Sequence, residues 1–284
     1  TYVSSVLGGV ATTSVIGYEL DMVIWLPLSG LAATLIGIIL SPVSARLKGL
    51  NLGLVTLALV FIGSHFFSNL KFITGGAGLG RKAAKLTFLG VDLESGLTFG
   101  NLIIEKNDVI YFFSLVLCIL LGIGVKNISR SKIGRAFSAI RDRDIAAEAL
   151  GINLFKYKMY AFGISSFYGG IAGSLLFTLS GGVEPGSFNL LYSITFVAIV
   201  IIGGVGTVLG PIFGAFFFTM LPGIIQAVLH ALGIADSGFI LNPAEIERIV
   251  FAFFIIFFLI FEPRGLWGIW FRLRNYFKAW PFSY

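Results

Sequence analysis

The sequence predicts an all-α, polytopic transmembrane helical bundle with some short or broken helices, forming one membrane domain over 1–284. Three observations carry this prediction. Hydrophobic residues make up 57% of the 284 and charged residues only 12%, about half the quarter usual in soluble domains. The apolar residues fall in runs close to the roughly 20 that a helix needs to cross the hydrocarbon. There are 29 Phe and 36 Gly against 2 His and 1 Cys, and Cys118 lies inside an apolar run. Such a chain lacks the polar groups to cover a water-soluble globule, so a soluble enzyme, a disordered chain and a disulfide-stapled secreted domain are excluded.

Taken in order, residues 2–16 read as part of a helix. They lack the basic, apolar and cleavage regions of a signal peptide. The runs 22–43, 50–68, 109–125, 158–180 and 249–261 read as spans. A longer run, 191–222, is interrupted by Gly203-Gly204-Val205-Gly206 and by Pro211. Between the spans lie a polar segment at 69–108, a basic segment at 126–157, a turn at 181–190 and a mixed stretch at 223–248. The tail 262–284 sets Trp267, Trp270 and Trp280 among Arg272, Arg274 and Lys278, the composition of an interfacial aromatic belt with a cationic anchor.

Lys and Arg counts orient the chain. Segments 44–49, 126–158 and 262–284 hold 14 of the 20 basic residues and 4 of the 14 acidic ones. The positive-inside rule places 126–157 and the C-terminus in the cytoplasm and 69–108 outside. For alternation to hold, 191–222 crosses an even number of times, as two helices of 12 to 16 residues joined at Gly203–Gly206. Broken helices at membrane depth are tolerated where protein or a water-filled cavity covers them. Small residues recur every fourth position in Ser165, Gly169 and Gly173, in Ser166, Gly170 and Ser174, and in Gly206, Gly210 and Gly214, a spacing that lets helix backbones approach closely in lipid.

The sequence lacks the chemistry of an enzyme. No P-loop occurs, Gly204, Gly206 and Gly210 only graze the dinucleotide fingerprint inside an apolar run, and no metal-ligand spacing or Ser-His-acid set is present. Catalytic residues, metal ligands and a cofactor bound by this chain are therefore not expected. Neither is nucleic acid, since the basic excess is distributed as in a membrane protein. The span interiors hold no Asp, Glu, Lys or Arg, the residues that serve as relays in many ion-coupled carriers. His65, near the outer end of its span, reads as an interfacial residue or as a proton relay. Weakly polar Thr56, Ser64, Ser193 and Thr195, with Gly204 at the helix break, are the candidates for a substrate pathway. Most such Ser and Thr simply bond to their own helix.

Either the chain is a passive pore or its driving force enters at a surface from another subunit, which directs attention to 126–157. Phe137 and Ile140 share one helical face, and Ile145, Ala149 and Leu150 supply a second. Between them lies a self-neutralising elbow, Arg141-Asp142-Arg143-Asp144. Two short helices with a charged elbow suit a peg that another protein grips, with both apolar faces buried by that partner. The other reading is a solvated connection resting on anionic headgroups. Gly134, Arg135, Glu148 and Gly151 complete this candidate coupling set, with Gly151 permitting close approach or a helix-ending turn.

Segment 131–151 resembles the cytoplasmic loop of ABC importer permeases, whose EAA motif Ala146, Ala147 and Gly151 match, with Ile145 where the motif carries Glu. Four further stretches resemble branched-chain amino acid permeases of the LivM type, in the same order: 46–58, beginning Arg46-Leu47-Lys48-Gly49; 74–79, beginning Thr74-Gly75-Gly76; 203–211, ending Gly210-Pro211; and 262–268, beginning Glu262-Pro263-Arg264-Gly265. The resemblance implies further hydrophobic helices upstream of Thr1. It also implies a second permease subunit of the LivH type, two ABC ATPase subunits carrying ATP and Mg, and a periplasmic or surface-tethered solute-binding protein. The assembly would sit in a bacterial or archaeal cytoplasmic membrane and import leucine, isoleucine and valine, or urea or short amides. A passive channel and a proton-coupled carrier remain the contrasting classes.

Overall fold

The structure is a computed structural model. It describes all residues except 12–15, 48–49, 77–79, 83, 85, 89, 93–96, 100–101, 105, 232–242, 263 and 280–284, so Trp280 lies outside the described residues. The chain divides into two compact units, Thr1–Leu190 and Leu191–Tyr284.

The first unit opens with α1 (Tyr2–Gly8), α2 (Met22–Arg46), α3 (Leu50–Asn69) and the single-turn α4 (Lys71–Thr74). Short strands β1 (Arg81–Lys82), β2 (Thr87–Phe88), β3 (Val91–Asp92), β4 (Leu97–Phe99) and β5 (Leu102–Ile104) follow. Then come α5 (Lys106–Arg130), α6 (Lys132–Asp142), α7 (Asp144–Ala149), α8 (Leu154–Ser180), β6 (Gly182–Val183) and a 3-10 turn, Pro185–Ser187. The second unit holds α9 (Leu190–Gly203), α10 (Gly210–Ala231), α11 (Pro243–Phe261) and α12 (Gly265–Ala279). Among the described residues, four helical stretches, Met22–Val43, Asn107–Arg130, Leu154–Ser180 and Gly210–Val228, are long and apolar enough to cross a membrane, and Leu54–Asn69, Leu190–Gly203 and Arg248–Phe258 are shorter apolar helices.

The helical architecture matches the sequence expectation, with two corrections and two features that the sequence did not show. Residues 2–16 are not one helix. The chain stops being helical after Gly8 and hooks back, with the Tyr18 and Leu20 amides donating to the Val6 and Leu7 carbonyls. The second helix of the 191–222 run is not 12 to 16 residues but 22, continuing through Pro222 to Ala231. Its partner α9 has 14, or about 21 Å at 1.5 Å per residue, short of the roughly 30 Å hydrocarbon. The tail, read from its composition as an interfacial belt, forms helix α12. The segment 69–108 carries strands that pair as β1–β6, β2–β3 and β4–β5, a small β element in an otherwise helical fold.

The most extensive packing between helices in the first unit is the seam between α2 and α8. A methyl group at Gly170 would lie 2.7 Å from the Ala33 Cβ and 2.8 Å from the Ser29 carbonyl oxygen, and one at Gly37 would lie 2.1 Å from the Ser166 hydroxyl. The Ser174 hydroxyl lies 2.7 Å from that of Ser29 in a fully buried contact. Of the two stripes on α8, it is Ser166, Gly170 and Ser174 that form this seam. A side chain at Gly169 would meet nothing within 4 Å, and one at Gly173 would meet Thr1. Beside the seam, Met22, Trp25 and Leu26 of α2, Ile171 and Phe177 of α8 and Ile110 of α5 enclose Ala84 and Leu86, which ties the strand-bearing segment to the same core.

That segment is held by β1 against β6, with Arg81 opposite Val183. Arg81 is buried, its guanidinium donating to the Ile73 carbonyl at 3.0 Å and also to that of Ile16. Burial lowers its pKa below the usual arginine value. The 69–108 and 181–190 segments therefore share one end of the bundle.

The matched pair Gly170→Ala and Gly169→Ala tests the seam. Overpacking at Gly170 should cost about 1–3 kcal/mol and lower the thermal midpoint in detergent. Gly169→Ala should be neutral or gain up to about 1 kcal/mol from helix propensity. Equal midpoints would remove the seam from the account.

Candidate functional site

Helix α5 has 25 residues, about 37 Å of helix, longer than the hydrocarbon is thick, so its basic end extends past the apolar layer. The chain then turns sharply. The Ser131 hydroxyl caps α6, accepting from the amides of Ile133 and Gly134. Gly134 is required by the turn itself, since a Cβ there would lie 2.3 Å from the Ser129 carbonyl oxygen and 2.5 Å from that of Ile128. Helices α6 and α7 are separated by Arg143 alone, in an extended conformation. The Asp144 carboxylate accepts from the Ile145 amide at 2.9 Å, an acceptor placed at a helix N-terminus where the dipole favours it.

Helix α7 ends in a Schellman turn. The Gly151 amide donates to the Glu148 carbonyl at 2.9 Å and the Ile152 amide to that of Ala147 at 3.0 Å, with Gly151 at φ +83°. Gly151 thus makes the helix-ending turn, and no atom of this chain beyond the adjacent residues lies within 4 Å of the place a Cβ would take there. Asn153 then caps α8, accepting from the Lys156 amide.

The side chains divide differently from the sequence expectation. Phe137 is half-buried and meets the Tyr157 ring edge-on at 6.4 Å, so this apolar face is partly used to fix α6 to the start of α8. Gly134, Ala136 and Ala147 are buried, and Ile140 is half-buried. The bared apolar groups are instead Ile145 and Leu150, 76% and 81% exposed. Ala149, Arg135, Arg141, Asp142, Arg143 and Glu148 are exposed around them. The Arg141–Asp142 pair, 3.1 Å apart and about two-thirds exposed on both sides, contributes little to stability.

The candidate pathway residues fall in both units. Thr56 is exposed and Ser64 half-buried on α3 in the first unit, while Ser193 is exposed and Thr195 half-buried on α9 in the second. The Thr195 hydroxyl bonds the Leu191 carbonyl in its own helix at 3.0 Å. His65 is exposed, with Asn69 bonding both its carbonyl and its ring. Among the described residues no group of three or more His, Cys, Asp and Glu could hold a metal ion.

Gly204 is a packing point. At φ +121° it leaves the end of α9 against the turn between α11 and α12, and a Cβ would lie 2.5 Å from the Arg264 carbonyl oxygen. Gly265, at φ +63°, comes equally close to the Gly204 amide and the Ile202 carbonyl. Two separate Gly-containing stretches, 203–211 and 262–268, thus interlock. Each was visible in the sequence, but nothing in either announced that they meet.

Apolar helices of crossing length and a close-packed small-residue seam are those of a multi-pass membrane protein. The family described as "Branched-chain amino acid transport system / permease component" matches residues 2–259, and the chain belongs to it. It is 32% identical over 272 residues to the "High-affinity branched-chain amino acid transport system permease protein LivM" of Salmonella typhimurium and 31% identical to the Escherichia coli protein of that name. These alignments cover 91% of this chain but 60% of the relatives, so the chain spans about three-fifths of their length. A shorter likeness, 34% over 112 residues, joins it to the "Xylose transport system permease protein XylH" of Escherichia coli, covering 38% of this chain and 28% of that protein. No solved structure matches the chain.

Gly204→Ala should lower the amount of folded protein by the backbone strain and overlap, about 1–3 kcal/mol, read as the monodisperse yield and thermal midpoint in detergent. Normal yield and midpoint with impaired transport would instead return Gly204 to the translocation path.

Proposed function

We propose that this chain is the membrane permease subunit of an ATP-driven ABC importer that takes up leucine, isoleucine and valine in a bacterial or archaeal cytoplasmic membrane. The single observation that carries the reading is the α6–α7 peg, with Ile145 and Leu150 bare at 76% and 81% outside the apolar spans. Large apolar groups so exposed in a water-facing element mark an interaction surface. A protein with no nucleotide motif of its own needs such a surface to receive the work of ATP hydrolysis.

In this reading 126–157 and the C-terminus face the cytoplasm, and 69–108 faces outward. Two ATPase subunits, which hold ATP and Mg, dock from the cytoplasm, a second permease of the LivH type completes the membrane pair, and a solute-binding protein delivers substrate. Ile145 and Leu150 enter a groove of the ATPase. Arg141, Asp142, Arg143 and Glu148 lie at its rim, where charges set registry more than affinity. Phe137 acts behind them, holding α6 to α8 so that displacement of the peg moves the membrane helix. The substrate class rests on relatives that match over 91% of this chain, against 38% for the sugar permease.

The test is substrate-stimulated ATPase activity of the reconstituted complex, with subunit association measured alongside. Leu150→Asp and Ile145→Asp should each lower stimulation at least tenfold, as expected for burying an unpaired carboxylate in an interface at roughly 1.4 kcal/mol or more. Arg141→Ala should change it less than about threefold. Wild-type stimulation and assembly in both Asp variants would return the peg to a solvated connection on the headgroups. Leucine uptake should survive an uncoupler while ATP is maintained, and its collapse would indicate a proton-coupled carrier. Labelling of a cysteine at Ser138 from outside intact cells would reverse the topology.

A further inference from the structure

Helix α12 borders two hollows in the second unit. The first, of about 570 Å³, lies at the interlocked turns and is lined by Thr207, Glu262, Arg264, Trp267, Phe271 and Arg272 among others. The second, of about 330 Å³, is a groove between α10 and α12 lined by apolar side chains, including Phe213, Met220, Leu266 and Leu273. The Phe213 ring stands 6.1 Å from Trp267 and 6.2 Å from Trp270, so one aromatic cluster adjoins both hollows. Both volumes lie in the range of small-molecule sites, about 300–1,000 Å³.

Their chemistry differs in a definite way. Two guanidinium groups against one carboxylate give the larger cavity net positive charge. Glu262 is largely buried and already engaged by Arg272. The Arg264 guanidinium has no carboxylate partner among the described residues. The groove beside it carries no charge. A phosphate-sized anion fits the first hollow, and hydrocarbon fits the second. Only an amphiphile with a negative head satisfies both.

We propose that the α10–α12 corner holds an anionic phospholipid, its phosphodiester at Arg264 beside Trp267 and an acyl chain in the groove of Phe213, Met220, Leu266 and Leu273. Helix α12 suits this place. Trp267, Trp270, Arg272 and Arg274 give it the interfacial composition expected where an apolar helix face meets headgroups, and Arg274 lies 5.8 Å from the Phe271 ring. Basic clusters of this kind are drawn to the anionic leaflet facing the cytoplasm, so the leaflet assignment rests on the orientation proposed above. The site itself does not. A free phosphate would use the cavity and leave the groove empty, which separates the two sources of the same headgroup chemistry.

Native mass spectrometry of the assembled importer complex, purified in detergent and exposed to phosphatidylglycerol or to phosphatidylcholine of the same chain length, tests the site. The complex should retain phosphatidylglycerol with at least about a tenfold preference, the scale of one charge-assisted contact. Arg264→Gln should abolish most of that preference, whereas Arg274→Gln, outside the cavity, should preserve it. Equal retention of the two lipids overturns the proposal, as does displacement of phosphatidylglycerol by millimolar inorganic phosphate, which would assign the cavity to a free anion. Should Arg264→Gln fail to assemble, the comparison of the two lipids on the wild-type complex decides alone. Lipid preference in a complex that fails to transport leucine would count against the importer reading and leave this site standing.

Discussion

The first unit depends on one constraint: in a solvent as apolar as its own side chains, α2 and α8 can associate only by fitting together. Lipid removes the hydrophobic drive that pairs helices in water, leaving close packing and buried hydrogen bonds. Ser166, Gly170 and Ser174 on α8 supply both against Ser29, Gly30, Ala33 and Gly37 on α2. Two other parts of the unit attach to this pair through α8. The C-terminal end of α8 runs into β6, which pairs with β1 and so holds the 69–108 segment. Its N-terminal end follows directly on the peg, with Tyr157 against Phe137. A helix fixed along its length is a stiff lever, and the peg sits at its end.

The second unit answers the same problem without a long seam. Glycines at 203, 204, 210 and 214 bring α9 against the start of α10, and Gly204 with Gly265 brings the α11–α12 turn onto that corner. Because no side chain intervenes, backbone meets backbone. Phe217 of α10 then meets Phe254 and Phe258 of α11 edge-on, with ring centroids 5.0 Å and 6.5 Å apart. Glycine for close approach and phenylalanine for filling account for much of a composition that looks extreme when read as percentages alone.

The spans were legible because 20 apolar residues have few other uses, and the peg was legible because caps and charges punctuate it. Ser131, Asp144 and Gly151 each mark a helix end by a local rule, so α6 and α7 follow from short stretches of sequence. What escaped the sequence was tertiary. Two small-residue stripes run along α8, and only the partner helix decides that Gly170 is packed while Gly169 is open. Phe137 and Leu150 are both apolar, but which of them is bare depends on Tyr157, which lies twenty residues beyond Phe137 and begins another element. The short strands were missed because two- and three-residue pairs leave no alternation to read. The length of α10 was missed because the apolar run was ended at 222, whereas the helix continues through Pro222 to Ala231, as membrane helices tolerate proline where neighbours satisfy the freed backbone groups.

The central claim is that peg and seam form one rigid body through which force passes into the membrane. Spin labels at Ser138 on α6 and Ile39 on α2, both exposed, with Cys118 replaced by Ser, report on it directly by pulsed electron resonance of the assembled complex. The account predicts one narrow distance distribution, unchanged to within about 2 Å between nucleotide-free and ATP-trapped states. A shift of about one helical turn, roughly 5 Å, or a distribution that broadens on ATP binding, would show that the peg moves independently of the helices it is said to drive.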